Sequence, residues 1–294
     1  MRWSSAPSLR WKYSGLSMLA DAAPGRSAAG ATAAGPSAAP APLLECRGID
    51  VYVESRCLVR GLDLQVRSGS MLAVLGPNGS GKSLSLHTLA GLRSPKAGEL
   101  LIAGKRMTDW PRRALARELA LLPQNVEDPF PASVIETVLL GRHPHIARWQ
   151  WESPRDLAIA SDALVAVGLA GYEDRDVLTL SGGERRRAAL AAVLAQTPRI
   201  FLLDEPTNQL DPNHQLEALQ LLRERADAGA AVIVTLHDPN LAERFADHAL
   251  LIGKGGDWQC GLVGDILSPQ HLSTLYDTRF EAAEIRGRRV FFQA

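Results

Sequence analysis

The strongest constraint on this chain is a break in an apolar run. Met71–Leu75, MLAVL, reads as a buried strand, and Leu84–Leu92, LSLHTLAGL, carries apolar residues at helical spacing. Between them lies GPNGSGKS, which fits the pattern G-x-x-x-x-G-K-[ST]. Strand, glycine-rich loop and helix together make a phosphate cradle of Gly76, Pro77, Asn78, Gly79, Ser80, Gly81, Lys82 and Ser83. Glycine opens backbone conformations that turn successive N–H groups inward. The start of the helix adds partial positive charge. Lys82 can reach the β- and γ-phosphates of a nucleotide, and the Ser83 hydroxyl can ligate Mg²⁺.

The bulk sequence narrows the setting. The 294 residues suit one large domain or a domain with a subdomain, and 46% of them are apolar. Lys plus Arg and Asp plus Glu are both 32, a balance that argues against a dedicated nucleic-acid binder. Cys46, Cys57 and Cys260 lack metal-like spacing and read as free thiols in a reducing cytoplasm. No apolar run reaches the roughly 20 residues that span a bilayer, so any membrane spans would come from another polypeptide. Residues 1–42 are different in kind: Ala22–Pro42 is rich in Ala, Pro, Gly and Ser. Such a segment buries too little surface to offset its ordering, and disorder is expected. Arg2, Arg10, Lys12 and Arg26 are followed by no continuous apolar stretch, so the segment reads as a tail or a start set too early, with Met18 the alternative start.

Three further strands deliver polar residues at their ends. RIFLLDEPTNQLD, Arg199–Asp211, is an apolar run that ends in two acids. Asp204 is placed to hold the hydration shell of Mg²⁺, and Glu205 to polarise an attacking water. AAVIVTLHD leads to His237, which can bond the γ-phosphate or that water, because open parallel sheets bind ligands at the C-terminal ends of their strands. ELALLPQ ends in Gln124, either a solvated loop residue or an amide that reaches Mg²⁺ or the water. LSGGERRRAALAAVLAQ, Leu180–Gln196, opens a helix with Ser181 as N-cap. Its bare start, with Gly182, Gly183 and Glu184, offers a second phosphate-binding surface.

In these motifs the chain resembles the ATP-binding-cassette (ABC) ATPases from Leu43 to about Ile252. The elements follow the family's order: Walker A loop Gly76–Ser83, Q-loop Gln124, signature Leu180–Glu184, Walker B Ile200–Glu205, D-loop Asn208–Asp211 and switch His237. The resemblance implies an α/β P-loop NTPase fold with a RecA-like core, an antiparallel β subdomain and an inserted helical subdomain over about 125–190. It places the ATPase domain at 43–252, with a C-terminal helix (Ser268–Tyr276) and a hairpin turning at Arg286–Gly287 packed on it. Glu205 is then the general base, assisted by His237 and Gln124. Ser83, Gln124 and Asp204 hold Mg²⁺, while Ser181, Gly182, Gly183, Glu184 and Asp211 join the loop residues in contacting ATP.

Three departures stand out. The aromatic residue on which the family often stacks adenine lies 29 positions before the loop lysine, which here is Val53, with Tyr52 one place off and facing the other way unless a bulge shifts the register. Leu84 replaces a threonine that often touches the α-phosphate, at about 1 kcal/mol. Arg186 stands where glutamine is common, with little expected consequence. One ATP needs both a phosphate loop and a second positive helix start, and in this family these come from different chains. The chain is therefore expected to pair head-to-tail with a second copy around two ATP molecules.

The run LLPQ…FPASVIETVLLGRHPH, the stretch DPNHQLEALQLL and the tail Gly264–Phe292 look like the importer ATPases for iron complexes, haem and cobalamin. The partners implied are polytopic permease subunits and, indirectly, a solute-binding protein, with no nucleic acid, at the cytoplasmic face of a bacterial inner membrane. Trp149 and Trp151 are either core or a docking surface. Among the cargoes, the overall look leans to cobalamin or a siderophore. A soluble cassette acting on ribosomes or DNA is the competing reading. It fits less well, because there is a single motif set and no room for a long coiled coil between Lys82 and Ser181. A small P-loop kinase or GTPase leaves LSGGE unexplained.

Overall fold

The computed structural model describes residues 41–125 and 131–294. The expectation of a disordered extension thus falls almost wholly outside the described residues, as does the start of the helical insertion. The strands are β1 (Leu44–Val53), β2 (Arg56–Val66), β3 (Met71–Leu75), β4 (Ala97–Ile102), β5 (Lys105–Arg106), β6 (Leu119–Leu122), β7 (Ile200–Leu203), β8 (Ala231–Thr235), β9 (His248–Ile252), β10 (Trp258–Leu262), β11 (Phe280–Ile285) and β12 (Arg288–Gln293). Six of them form a sheet in the order β10-β9-β3-β8-β7-β6, parallel from β9 to β6 with β10 antiparallel at the edge. A second, antiparallel sheet has the order β2-β1-β4-β5, and β11 and β12 make a hairpin.

The central strands are apolar throughout because both faces of the parallel sheet are covered. Side chains alternate across a strand. Met71, Ala73 and Leu75 of β3 therefore join one core with Phe201, Leu203, Val232 and Val234. Leu72 and Val74 join the other with Ile200, Leu202, Ala231 and Ile233. The antiparallel sheet covers this second face with Leu44, Ile49 and Leu62, joined by Leu86 of α1 (Lys82–Leu89). The first core continues into the helical insertion. The chain's predicted α/β fold with an antiparallel sheet and a helical part is what the structure has.

After α2 (Arg112–Glu118), the insertion is built from α3 (Val134–Leu139), α4 (Pro154–Ala166) and α5 (Gly182–Ala195). Each of these three helices starts with a serine whose hydroxyl accepts an N–H three residues on, while an acid there reaches back: Ser133 with Glu136, Ser153 with Asp156, Ser181 with Glu184. Asp156 also takes Arg142 Nε at 2.9 Å, and Arg142 Nη1 donates to Ala195 O at 2.7 Å, so one buried guanidinium ties the start of α4 to the end of α5. Trp149 and Trp151 are 90% and 88% exposed, which decides between core and surface.

Beyond β7 come α6 (Pro212–Asp227), α7 (Pro239–Phe245), α8 (Val263–Ile266) and α9 (Pro269–Tyr276). The terminal hairpin turns at Arg286–Gly287 and is clamped to α7. Asn240 donates to Phe291 O at 3.0 Å and accepts Phe291 N–H at 2.7 Å, and Arg289 forks onto Glu243 at 2.9 and 3.1 Å. No helix among the described residues is long and apolar enough to cross a membrane.

Hydrogen bonds from Ser153 and Arg142 hold the Asp156 carboxyl at a pKa of about 2, below its ordinary 3.8. A depressed carboxylate stabilises the fold above its ordinary pKa, and that contribution fades as pH falls from about 4 towards about 2. Asp156→Asn is therefore expected to lose about 1–3 kcal/mol at pH 7. The deficit should shrink in urea unfolding carried down to pH 3; a deficit constant with pH would contradict this.

Candidate functional site

The C-terminal ends of β3, β6, β7 and β8 converge, and each strand hands over one part of the site. After β3 the chain turns through Gly79 (φ +74°) and Gly81 (φ +107°) into α1. Space as well as conformation demands glycine here: a Cβ on Gly76 would sit 2.4 Å from Ile252 O, and one on Gly81 would sit 2.9 Å from Leu58 Cβ. Lys82 is 5% exposed and curls over its own loop, donating to Gly76 O at 2.7 Å and Pro77 O at 3.3 Å. Burial pushes its pKa down, and the Glu205 and Asp204 carboxylates oppose that. The Ser80 hydroxyl is buried with no partner.

Just past β7, Asp204 and Glu205 are 0% and 5% exposed. Thr235, the last residue of β8, serves both: its hydroxyl donates to Asp204 Oδ1 at 2.7 Å and accepts Glu205 N–H at 2.7 Å. Asp204 Oδ2 is buried and unpartnered. Glu205 adopts φ +49°, a left-handed conformation that L-residues rarely take. Its Oε2 accepts Gln124 Nε2 at 2.9 Å and the Asn208 amide, and its Oε1 lies 2.6 Å from His237 Nε2. An open cleft of about 560 Å³ is lined by Asn78, Gly79, Gly81, Lys82, Ser83, Gln124, Glu205, Asn208 and His237, with Leu58 and Leu84 on its apolar side.

These residues suit a magnesium nucleotide. A hydroxyl, an amide and a carboxylate with one orphaned buried oxygen form a hard oxygen donor set. Among the described residues no three His, Cys, Asp or Glu side chains cluster as a metal cage.

The signature residues do not line this cleft. Ser181 and Gly182 are exposed. Glu184, expected among the nucleotide contacts, spends its oxygens on its own helix start: Oε2 accepts Ser181 N–H at 2.8 Å, and Oε1 accepts the Tyr172 hydroxyl at 3.0 Å. Asp211, also expected there, caps α6, accepting Asn213 and His214 N–H at 3.0 Å each and pairing with His214 at 2.6 Å. The signature glycines have a reason within the chain too. A Cβ on Gly183 would lie 3.0 Å from Gln209 O, and one on Gly182 would lie 2.8 Å from Gln209 Oε1, so the loop Asn208–Asp211 packs directly on the start of α5.

Thr235 escaped the motif reading, and Asn208 stands there only as the start of the D-loop, with no role of its own. Thr235 and Asn208 complete the hydrogen bonds of the two acids. Arg186, expected to matter little, is 5% exposed and donates to the carbonyls of Pro123, Gln124, Asp204 and Glu205. The middle arginine of three consecutive ones gives no sign that it alone turns inward. At the adenine end, the β1–β2 register does shift between Val51 and Tyr52, leaving Tyr52 opposite Cys57. Leu58, rather than Tyr52 or Val53, lines the cleft.

Known proteins share this arrangement. Residues 59–208 match the ABC transporter family. The hemin import ATP-binding protein HmuV of Gloeobacter violaceus is 43% identical over 239 residues, covering 79% of this chain and 86% of its own. HmuV of Pseudomonas entomophila is also 43% identical, covering 80% and 92%. The cobalamin import ATP-binding protein BtuD of Halobacterium salinarum is 36% identical over 80% of this chain, which spans 59% of that relative's length. Among solved structures, a chain from one described as an inward-facing metal-chelate type ABC transporter superposes with a TM-score of 0.75 at 28% identity, covering 86% and 98%. A dimeric bacterial ABC transporter cassette gives 0.65 at 25%, covering 75% and 98%. The chain thus belongs to the ABC transporter family as one of its ATP-binding, ATP-hydrolysing members.

Proposed function

We propose that this chain energises the import of a haem-class iron complex through separate permease subunits at the cytoplasmic face of the inner membrane. The observation that carries the reading is a half-complete site: the phosphate loop, Glu205 and His237 share one cleft, while the start of α5 stays exposed and lines no part of it. A second copy, head-to-tail, supplies Ser181, Gly182 and Gly183 to the γ-phosphate that Lys82 holds. Glu184 and Asp211 act indirectly, by fixing the helix and loop that present those groups. ATP closes the pair, and hydrolysis with release opens it.

Within the cleft, the N–H groups of Gly76–Ser83 surround the phosphates. Ser83, Gln124 and Asp204 would hold Mg²⁺, which would supply neutralising charge beside the phosphates. Glu205 takes the proton of the attacking water. For this, Gln124 and His237 must turn from its carboxylate towards the nucleotide, where His237 meets the γ-phosphate. A carboxylate already surrounded by donors is thereby kept in place until the phosphate competes for them.

The cargo rests on the relatives. The hemin importers share 43% identity and the cobalamin importer 36%, which moves the proposal from cobalamin or siderophore towards haem. A solute-binding protein would deliver it. The exposed Trp149 and Trp151 give the membrane partner an aromatic surface on the helical insertion. The competing reading, a soluble cassette on ribosomes or DNA, finds no support among these relatives.

Glu205→Gln should bind ATP yet lower turnover at least about 100-fold, measured as phosphate release; normal turnover would refute the base assignment. A strain lacking this chain should fail to grow on haemin as sole iron source while keeping cobalamin-dependent growth. Intact haemin use with lost cobalamin uptake would overturn the cargo.

A further inference from the structure

We infer that Arg186 is a positioning residue for hydrolysis: from the signature helix α5, its guanidinium sets the main chains of both Gln124 and Glu205. One nitrogen, Nη1, donates to Pro123 O at 2.7 Å and Gln124 O at 3.2 Å. The other, Nη2, donates to Glu205 O at 2.9 Å and to Asp204 O. A planar fork with fixed donors is suited to holding two chain segments at a set separation, which a flexible ammonium is not. The two segments are the ones whose side chains meet, Gln124 Nε2 on Glu205 Oε2 at 2.9 Å.

Glu205 has particular need of such support. Its left-handed backbone persists only where the surroundings hold it. Thr235 holds its N–H from one side, while Arg186 and the Asn208 N–H hold its carbonyl from the other. The cation also lies beside two buried carboxylates. Desolvation pushes the Arg186 pKa down to about 10, with Asp204 and Glu205 opposing, so it stays charged at neutral pH. Arg186 sits about one turn beyond the Ser181 cap. A shift of the helix start, where the second copy's ATP would bind, is therefore felt at this chain's own water-activating residues.

The proposal rests on the reading of Glu205 and Gln124 as serving the attacking water. Its test compares Arg186→Lys and Arg186→Met in the full chain, measuring kcat and KM for ATP, affinity for a fluorescent ATP analogue, and melting temperature. Both variants should lower kcat about 10- to 100-fold. KM and affinity should stay within about threefold, because the phosphate loop is untouched. If Arg186→Met does not fold, Arg186→Lys decides, since it keeps the charge and loses only the fork. Wild-type kcat in Arg186→Lys would overturn the proposal. So would a parallel fall of kcat, affinity and melting temperature, which marks a merely structural role. Normal hydrolysis by Glu205→Gln would instead sink the underlying reading. An inactive Glu205→Gln beside a normal Arg186→Lys sinks the Arg186 proposal alone.

Discussion

Everything at this site depends on keeping two adjacent acids buried at the end of one strand. Burying a carboxylate is costly unless donors surround it. Asp204 and Glu205 meet that demand with Gln124 from the end of β6, Thr235 and His237 from the end of β8, and Asn208 from the loop after β7 itself. The donors are also the groups a nucleotide would call upon. On the proposed reading, satisfying the buried charge and preparing the site for ATP are one arrangement.

The parallel sheet makes that convergence possible. Alternate residues of β3, β7 and β8 are committed to two separate cores, one under the antiparallel sheet and one continuing into the helical insertion. The strand ends are thereby held rigidly, and their loops need only short reach. The C-terminal hairpin is clamped through Asn240 to the helix that follows His237. The insertion reaches the main chain of the acids through the buried Arg186 on α5.

Much of this was legible in the residues. The apolar runs at β3, β7 and β8, the glycine pattern between β3 and α1, and Ser181 as the cap of α5 all encode local structure directly. The turn at Arg286–Gly287 did so too. Other features were not legible because they depend on what lies opposite. Glu184 and Asp211 accept local N–H groups at the starts of α5 and α6, a capping role that their place in the motifs does not reveal. Arg186 is one of three consecutive arginines, and only the fold decides which turns inward. Thr235 looks like an ordinary β-branched strand residue until its neighbour strand places two acids beside it.

The central claim is that the cleft is one half of a site, with the other half on a second copy. A structure of the full chain with Mg²⁺ and a non-hydrolysable ATP analogue tests it most directly. It should hold two copies, with the Ser181 hydroxyl and Gly183 N–H of each meeting the γ-phosphate bound by the other's Lys82. A single nucleotide-filled copy, its α5 tip open to solvent and Glu205 still bonded to Gln124 and His237, would contradict the account.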